Sequence, residues 1–323
     1  MRRGARIAGI VAVALSLTGL GLGIPLATAH QRPPPVYVLD GDPGDPAGSK
    51  FEGIGVDRAQ RTFYVSETTG GEIHRGRVRS GDTRVWLDAG LDGRTTARGV
   101  TVDRAGRVYV AGGPNSVTSP GAPDFWVYAP DGRLLAALRT GVTNPFLNDV
   151  AIGPDGAAYV TNSNAPLVFR VAQTRGRWAI STWSDATGVI PTQAGFNLGG
   201  IVVSQDRRAL VVAQGNTGRL WRFDLRTRRA TPVDTGSATL LNADGLVRRG
   251  STLWVIRNFD RVLTSVRLRP DGTAARLLAE RATDPDRVFT TGKLARGRLL
   301  LVDSKFDEPV AAPPYEVVAL RIR

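Results

Sequence analysis

Carboxylate, amide and guanidinium side chains recur at nearly constant spacing along this chain, each at the start of a short apolar run. The recurring positions, which include one glycine and one threonine, are Glu52, Arg98, Asn148, Gly199, Asp244 and Thr291, at intervals of 46, 50, 51, 45 and 47 residues. The carboxylate and amide oxygens in this set suit Ca²⁺ or Mg²⁺, and a carboxylate beside such a metal can serve as a base. If the positions converge in space, the chemistry they predict is metal-assisted hydrolysis.

The cysteine and histidine content excludes several other kinds of site. Cysteine is absent, so disulfides, thiolate metal ligands and cysteine nucleophiles are excluded. Histidine occurs only at positions 30 and 74, which rules out a multi-histidine metal centre and disfavours a Ser-His-Asp triad. His74 lies in the alternating segment 72–75, which is typical of an outward-facing strand position. Oxygen ligands and carboxylate bases remain.

The spacing of these positions also predicts the elements that hold them. Each interval contains short strand-like runs broken by turn residues, and a repeat of this kind indicates a β-propeller with one blade per repeat. The last repeat lacks a fourth strand before the chain ends at Arg323, and Val36–Leu39 supplies it. The predicted fold is an all-β, six-bladed propeller with four antiparallel strands per blade, closed by the N-terminal strand. Tandem β-sandwiches compete, but they do not explain the sixfold period.

Strand direction brings a second set of polar residues to the same end of the channel. The innermost strand of a blade is antiparallel to the second, so the start of the first lies beside the end of the second. The second set is Ser66, Glu67, Asn162, Gln214, Asn216, Arg257, Asn258, Asp303, Ser304 and Lys305. Together the two sets predict an oxygen-lined mouth. The alternative is that these side chains only cap strand ends and hydrate the channel.

The first 29 residues have the composition of a secretory signal peptide. Three arginines precede an apolar run over 7–22, and Ala27-Thr28-Ala29 follows. We expect cleavage after Ala29 and a secreted or cell-envelope domain over residues 30–323. No later segment is long and apolar enough to predict a membrane span.

The net charge of +13 is carried almost entirely by arginine, and loss of Arg2, Arg3 and Arg6 with the signal peptide leaves +10. The arginines are scattered through every repeat, and no dense basic run is interleaved with aromatic residues. Nucleic acid is therefore not an expected partner. A small-molecule substrate or an anionic cell-envelope partner is expected instead.

The residues at the blade starts resemble those of one known family. Phe51-Glu52-Gly53, Leu147-Asn148-Asp149, Asp244-Gly245 and Thr290-Thr291 are similar, in order and spacing, to the gluconolactonase and senescence-marker-protein family, which is grouped with calcium-dependent phosphotriesterases and strictosidine-synthase-like propellers. The resemblance covers essentially all of residues 30–323. It implies a secreted bacterial six-bladed propeller that holds a divalent metal, Ca²⁺ in first place.

The resemblance also implies roles for individual residues. In that family a glutamate, an asparagine and an aspartate hold the metal, and the aspartate also acts as base. The glutamate matches Glu52, and the aspartate matches Asp244. The fourth-blade asparagine falls on Gly199, so Asn197 is the candidate to replace it. Asn148 matches an asparagine that contacts the substrate or the metal-bound water. The expected metal ligands are Glu52, Asn148 and Asp244, with water or Asn197 completing the oxygen shell.

Substrate binding falls to a different arginine from the one that some family members use. Their arginine reaches the substrate carboxylate from the position that is Phe146 here. Arg98 is the candidate to bind an anionic substrate, or to pair with Glu52 and Asp244 when metal is absent. Asp149 is expected to have a structural role in a turn.

Two functions are consistent with these observations. The first is an exported, Ca²⁺-dependent hydrolase of the lactonase or esterase type. The second is a non-catalytic extracellular propeller that binds a small molecule or an envelope partner. In either case, the loop over 111–123 is a candidate partial lid.

Overall fold

Six four-stranded antiparallel sheets make up the structure, a computed structural model that describes residues 35–42, 44–112 and 121–322. In this part of the chain the helical structure is a three-residue 3₁₀ turn at Leu91–Gly93, and no helix has the length and apolar character to cross a bilayer. The predicted signal peptide and positions 113–120 of the predicted lid lie outside the described residues. The all-β, six-bladed fold is confirmed.

The strands are numbered in chain order, and the bounds of each follow. The closing strand is β1 (Val36–Leu39), and the first blade contains β2 (Phe51–Val56), β3 (Thr62–Glu67), β4 (Ile73–Arg77) and β5 (Thr83–Leu87). The second contains β6 (Ala97–Val102), β7 (Val108–Gly112), β8 (Phe125–Tyr128) and β9 (Leu134–Leu138), and the third β10 (Leu147–Ile152), β11 (Ala158–Asn162), β12 (Leu167–Thr174) and β13 (Arg177–Asp185). The fourth contains β14 (Leu198–Val203), β15 (Ala209–Gln214), β16 (Arg219–Asp224) and β17 (Ala230–Pro232), and the fifth β18 (Ala243–Arg249), β19 (Thr252–Arg257), β20 (Val262–Leu268) and β21 (Ala275–Ala282). The sixth contains β22 (Phe289–Ala295), β23 (Arg298–Asp303) and β24 (Tyr315–Arg321).

The N-terminal strand closes the ring, as predicted. β1 pairs antiparallel with β24, with Val36 opposite Val318, and completes the sheet order β1-β24-β23-β22. Tyr37 also ties the last blade to the first, because its hydroxyl donates to the Val78 carbonyl at 2.8 Å and its ring meets Phe63 edge-on at 4.8 Å. The sixth sheet therefore has no missing strand.

Apolar side chains of neighbouring blades interlock between the sheets. Tyr64 and Ile73 of the first blade pack with Trp126 and Tyr128 of the second, for example. Burial of each large apolar side chain contributes about 1.5–3 kcal/mol. Both faces of a blade are covered in this way, and the polar chemistry is left to the channel and to the strand ends.

Candidate functional site

The innermost strand of every blade carries a β-bulge at the same place. Pairing between β2 and β3 shifts by one residue between Phe51 and Ile54, and the other five inner strands shift in the same way. A bulge re-aims the neighbouring side chain, which is why bulges are common beside active sites. The equivalent bulge positions are Glu52, Arg98, Asn148, Gly199, Asp244 and Thr290.

The sixth repeat position is therefore Thr290 and not the predicted Thr291. Phe289 pairs with Asp303 and Gly292 with Leu301, which puts Thr290 where Glu52 stands in the first blade. Thr290 is fully buried, and its Oγ1 donates to the Glu52 carbonyl at 2.9 Å. Two consecutive threonines offer no pattern that separates them in the sequence alone.

A glycine follows the bulge residue in four blades because the inner strands approach too closely for a side chain. A Cβ on Gly53 would lie 1.9 Å from the Arg98 carbonyl oxygen, and one on Gly200 would lie 2.3 Å from the Asp244 carbonyl oxygen. Gly99 and Gly245 are crowded by the next inner strand in the same way. This narrow ring brings side chains from separate blades within reach of each other.

A cavity of about 810 Å³ opens at the predicted mouth. Glu52, Arg98, Asn148 and Asp244 line it, so side chains from four blades meet there. A small space of about 10 Å³ adjoins it and is lined by Glu52, Asn148, Asp244 and Thr291 among others. This space is about the size that one water molecule needs.

A second hollow, of about 910 Å³, lies between the fifth and sixth blades. Trp254, Leu263 and Arg298 line it, and the described residues around it include no carboxylate or amide side chain. Oxygen-ligand chemistry therefore belongs to the mouth and not to this hollow.

Glu52 and Asp244 are desolvated carboxylates. Burial raises the pKa of Glu52 to about 8, while the charge of Arg98 lowers it and the charges of Asp244 and Asp149 raise it further. Burial also raises the pKa of Asp244 to about 7, against the effect of a hydrogen bond from Asn258. Two neighbouring groups of this kind favour either a shared cation or bound protons.

The oxygens of Asn148 and Asp244 face a common volume in front of Gly199. A Cβ at Gly199 would lie 3.7 Å from Asn148 Oδ1 and 3.9 Å from Asp244 Oδ1. Asn258 Nδ2 donates to the other Asp244 oxygen, Oδ2, at 2.9 Å. This hydrogen bond orients the carboxylate and leaves Oδ1 directed toward the shared volume.

Asn197 lines the cavity, but its amide is used within the mouth loop. Nδ2 donates to three carbonyl groups, including that of Ser163 at 3.1 Å. Oδ1 accepts from the side chains of Gln214 and Asn216 at 3.2 and 3.0 Å, and from the Gln193 N–H. The structure therefore brings Glu52, Asn148 and Asp244 together but does not offer the Asn197 amide to the same point.

Arg98 stands between the carboxylates and the cavity wall. Its Nε lies 4.0 Å from Glu52 Oε2, and its guanidinium stacks 3.7 Å above the ring centre of Phe146. Its Nη1 is buried and has no hydrogen-bond partner among the described residues. The second blade therefore supplies a guanidinium to the mouth, and this group lies against the ring of Phe146.

Four phenylalanines give the cavity an apolar rim: Phe146, Phe196, Phe259 and Phe306. The rings of Phe146 and Phe196 are 5.2 Å apart, and Phe196 and Phe259 are 58% and 46% exposed. Large exposed apolar side chains around a concave polar floor are typical of a ligand site. All four lie outside the strands, so no strand periodicity pointed to them.

The second polar set mostly stabilises the mouth. Asn216 and Asn258 line the cavity, as predicted. By contrast, Ser66 Oγ accepts from the Gly53 N–H at 2.8 Å and also donates to the Arg98 carbonyl. Asn162 Oδ1 accepts from the Phe146 N–H at 2.9 Å. These groups hold the bulges and loops on which the site residues stand.

Asp149 has a structural part in the same framework. Its Oδ1 accepts from the Val150 N–H at 2.8 Å, and its Oδ2 accepts from the Ile201 N–H at 3.1 Å on the next inner strand. The carboxylate therefore joins the third and fourth blades. It performs this role without a turn, contrary to the expectation from its sequence.

His74 is fully buried, so the prediction of an outward-facing position is wrong. Period-two alternation separates the two faces of a strand, but neighbouring blades cover both faces of a propeller sheet. His74 Nε2 lies 3.7 Å from Glu67 Oε2 and 3.8 Å from Glu72 Oε2. Glu67 was predicted at the mouth, and nothing in the sequence pattern indicated this cluster.

Comparisons with known proteins bear on the fold. No protein-family model matches the chain, and no curated protein matches it significantly. Mala s 1, the major allergen of Malassezia sympodialis, superposes with a TM-score of 0.65 and 16% identity over 88% of this chain and 96% of its own. A gluconolactonase from Xanthomonas campestris superposes with a TM-score of 0.59 and 19% identity, over 84% of this chain and 86% of its own. Regucalcin from Agrobacterium tumefaciens, a calcium-binding protein, superposes with a TM-score of 0.58 and 16% identity, over 85% of this chain and 92% of its own. At these identities the likeness establishes a shared fold, which confirms the predicted resemblance at that level.

Proposed function

Given a fold shared with structures of a gluconolactonase and of regucalcin, we propose that this protein is a divalent-metal-dependent hydrolase of lactones or esters. One observation carries the proposal. Glu52, Asn148 and Asp244, from three different blades, direct oxygen-bearing side chains to the floor of one cavity. Calcium is the proposed metal because carboxylate and amide oxygens are its usual ligands.

The residues present fit such an ion. Burial disfavours the ionised forms of Glu52 and Asp244, which a cation would compensate, and both residues line a small space together with Asn148. A divalent cation held there supplies Lewis acidity to a carbonyl oxygen. Glu52, Asn148 and Asp244 are its proposed ligands, with water completing the shell in place of a fourth-blade side chain.

Asp244 is the proposed general base. Asn258 fixes its Oδ2, and Oδ1 accepts the proton of the water that attacks the carbonyl carbon. Burial raises the pKa of Asp244 to about 7 in the metal-free site, and a bound divalent cation would lower it and keep the carboxylate ionised. Arg98 Nη1 is free to donate to a substrate oxygen, and the phenylalanine rim packs against the apolar part of the substrate.

Export is part of the proposal and depends on residues 1–29 alone. The arginine-rich start, the apolar run and Ala27-Thr28-Ala29 support it. N-terminal sequencing of protein from the culture medium or cell envelope is expected to begin at His30. A mature protein that retains Met1 would contradict the export step but not the hydrolase.

The direct test is hydrolysis of a panel of lactones and aryl esters by the full domain, with Ca²⁺ and with chelator. Asp244→Asn is expected to lower kcat by about 10²- to 10⁴-fold, the usual contribution of a general base. Glu52→Gln is expected to weaken Ca²⁺ binding and to abolish the thermal stabilisation that Ca²⁺ gives by mass action. Asp88→Asn, at an exposed position, is the matched control and should leave both unchanged.

One observation favours the second candidate, a non-catalytic binding propeller. Arg98 lies 4.0 Å from Glu52 and supplies positive charge where a cation would otherwise compensate the carboxylate. If that pair replaces the metal, addition of Ca²⁺ or Mg²⁺ should leave the melting temperature unchanged, in the native protein and in Asp244→Ala alike. This result, together with no turnover on the panel, would favour the binding function.

A further inference from the structure

Three residues of the first blade bury polar atoms that have no hydrogen-bond partner. Among the described residues, nine buried side-chain nitrogen or oxygen atoms lack a partner, and four of them belong to this cluster. They are Glu67 Oε2, Glu72 Oε2, His74 Nδ1 and His74 Nε2. His74 Nε2, Glu67 Oε2 and Glu72 Oε2 face one another, whereas Nδ1 is on another edge of the imidazole ring. Orphaned polar atoms are rare in folded proteins, and three that converge require an explanation such as a bound ion.

The atoms converge at distances that suit one shared ion better than direct hydrogen bonds. His74 Nε2 lies 3.7 Å from Glu67 Oε2 and 3.8 Å from Glu72 Oε2, and the three ligand atoms all lie within 4.8 Å of one another. The donor–acceptor distance in a hydrogen bond between such atoms rarely exceeds about 3.2 Å. Ligand atoms that are each about 2.0–2.2 Å from a tetrahedral zinc ion are about 3.4 Å from one another. The two distances from His74 Nε2 are only slightly longer than that.

The hairpin between β3 and β4 preorganises this arrangement. The Glu67 N–H donates to the Glu72 carbonyl at 3.0 Å, and Gly70 and Gly71 turn the chain with φ of +77° and +82°. A non-glycine residue would be strained at both positions. Outside the cluster, Thr69 Oγ1 donates to Glu67 Oε1 at 2.8 Å and fixes the carboxylate.

Among the described residues, His74 is the one basic side chain that pairs with Glu67 and Glu72, and it carries a charge only when the imidazole is protonated. Phe51 packs edge-on against the His74 ring at 5.0 Å and keeps that side apolar. Arg94 donates to the carbonyls of Gly71 and Asp88 and to the Tyr128 hydroxyl, and not to the cluster. A divalent cation would balance the charge of two buried carboxylates and a neutral imidazole.

We propose that Glu67, Glu72 and His74 bind a transition-metal ion of the Zn²⁺ class, at a site separate from the mouth. One imidazole and two carboxylates are a ligand set that zinc accepts, whereas calcium takes oxygen ligands. Glu72, whose side chain is 12% exposed, provides the access route and the side from which water completes the shell. The ion would join β3 to β4 within one hairpin, and Glu67 of that hairpin pairs with Phe51, the residue before Glu52 of the mouth.

The test uses the mature full-length domain, stripped with chelator and then titrated with Zn²⁺ or Co²⁺. The expected result is one equivalent of Zn²⁺ retained after dialysis, a rise in melting temperature, and visible d–d absorption with Co²⁺. His74→Gln and Glu72→Gln should each weaken Zn²⁺ binding by more than about 100-fold, since even loss of an outer-shell partner costs 10–100-fold. The matched control is Glu52→Gln at the mouth, which should retain the ion.

Glu72→Gln keeps the test decisive if the His74 variant does not fold, because Glu72 is the least buried of the three. A second readout is the His74 imidazole ¹⁵N signal, which should shift on addition of Zn²⁺. Failure to retain Zn²⁺ or Co²⁺, or retention that depends on Glu52 and not on His74, overturns the proposal. The first outcome leaves hydrolysis at the mouth untouched, and the second would place the ion at the mouth and support the hydrolase, so the two proposals fail separately.

Discussion

Gly199 stands in the fourth blade where Glu52 stands in the first, and it offers no side chain to the mouth. Nothing lies closer than 3.5 Å to a Cβ built at this position, and its φ is outside the left-handed region. The open volume faces Asn148 Oδ1 and Asp244 Oδ1. An asparagine would therefore fit and would add an oxygen to those already directed there.

Gly199→Asn is expected to raise Ca²⁺ affinity by about tenfold, or about 1.4 kcal/mol, because it adds a ligand to an incomplete shell. Isothermal titration calorimetry measures the change, and Gly199→Ala is the control because it adds a Cβ without an oxygen. Equal affinities for the asparagine, alanine and native proteins would show that no cation lies in front of this residue.

At the scale of elements, the inner strands combine a bulge that aims one residue with a glycine that allows close approach. In the fourth blade both positions are glycine: Gly199 is the bulge residue, and Gly200 is the residue at the close approach. Both face the same Asp244 carbonyl oxygen, so the space at the two positions can be compared directly. A Cβ would lie 3.5 Å from that oxygen at Gly199 but 2.3 Å from it at Gly200. The first distance is an ordinary contact, and the second demands a backbone shift.

Gly200→Ala is expected to destabilise the protein by about 1–3 kcal/mol, as overpacking of a tight interior does. Gly199→Ala, its neighbour, should change the free energy of unfolding by less than about 0.5 kcal/mol. Urea unfolding followed by tryptophan fluorescence compares the two. If both alanines cost the same, strand approach does not limit residue size at the bulge.

The repeat could be predicted because the strand-like runs and the polar residues at most of the bulges are visible in the sequence. The bulge itself was not visible, since a one-residue shift in pairing leaves no trace in Thr290-Thr291. Asn197 has the right side chain near the right place, and only its six hydrogen bonds show that it is engaged elsewhere. The cluster at His74 could not be predicted, because alternation of apolar and polar residues does not show when both faces of a strand are buried.

At the scale of the whole molecule, stability depends on how the ring is closed by β1. Leu39 and Val38 are adjacent on this strand, but Leu39 is 2% exposed within the interblade core and Val38 is 57% exposed. The four residues of β1 were predicted with their observed bounds, because an apolar run was missing from the last repeat and present at the other end of the chain.

Leu39→Ala is expected to lower the free energy of unfolding by about 2–5 kcal/mol through loss of buried methyl groups and the cavity left behind. Val38→Ala on the same strand should cost less than about 0.5 kcal/mol, as substitutions at exposed positions usually do. Chemical denaturation of the two variants measures the difference. A large effect at Val38 would mean that this face of β1 is covered in solution.

The pairing of β1 with β24 also joins the two most distant strands of the propeller, with Val36 opposite Val318. A contact between strands so far apart in the sequence costs more loop-closure entropy than the local hairpins within a blade, and it is expected to form late in folding. The sixth blade is therefore the one whose completion requires the rest of the ring to be in place.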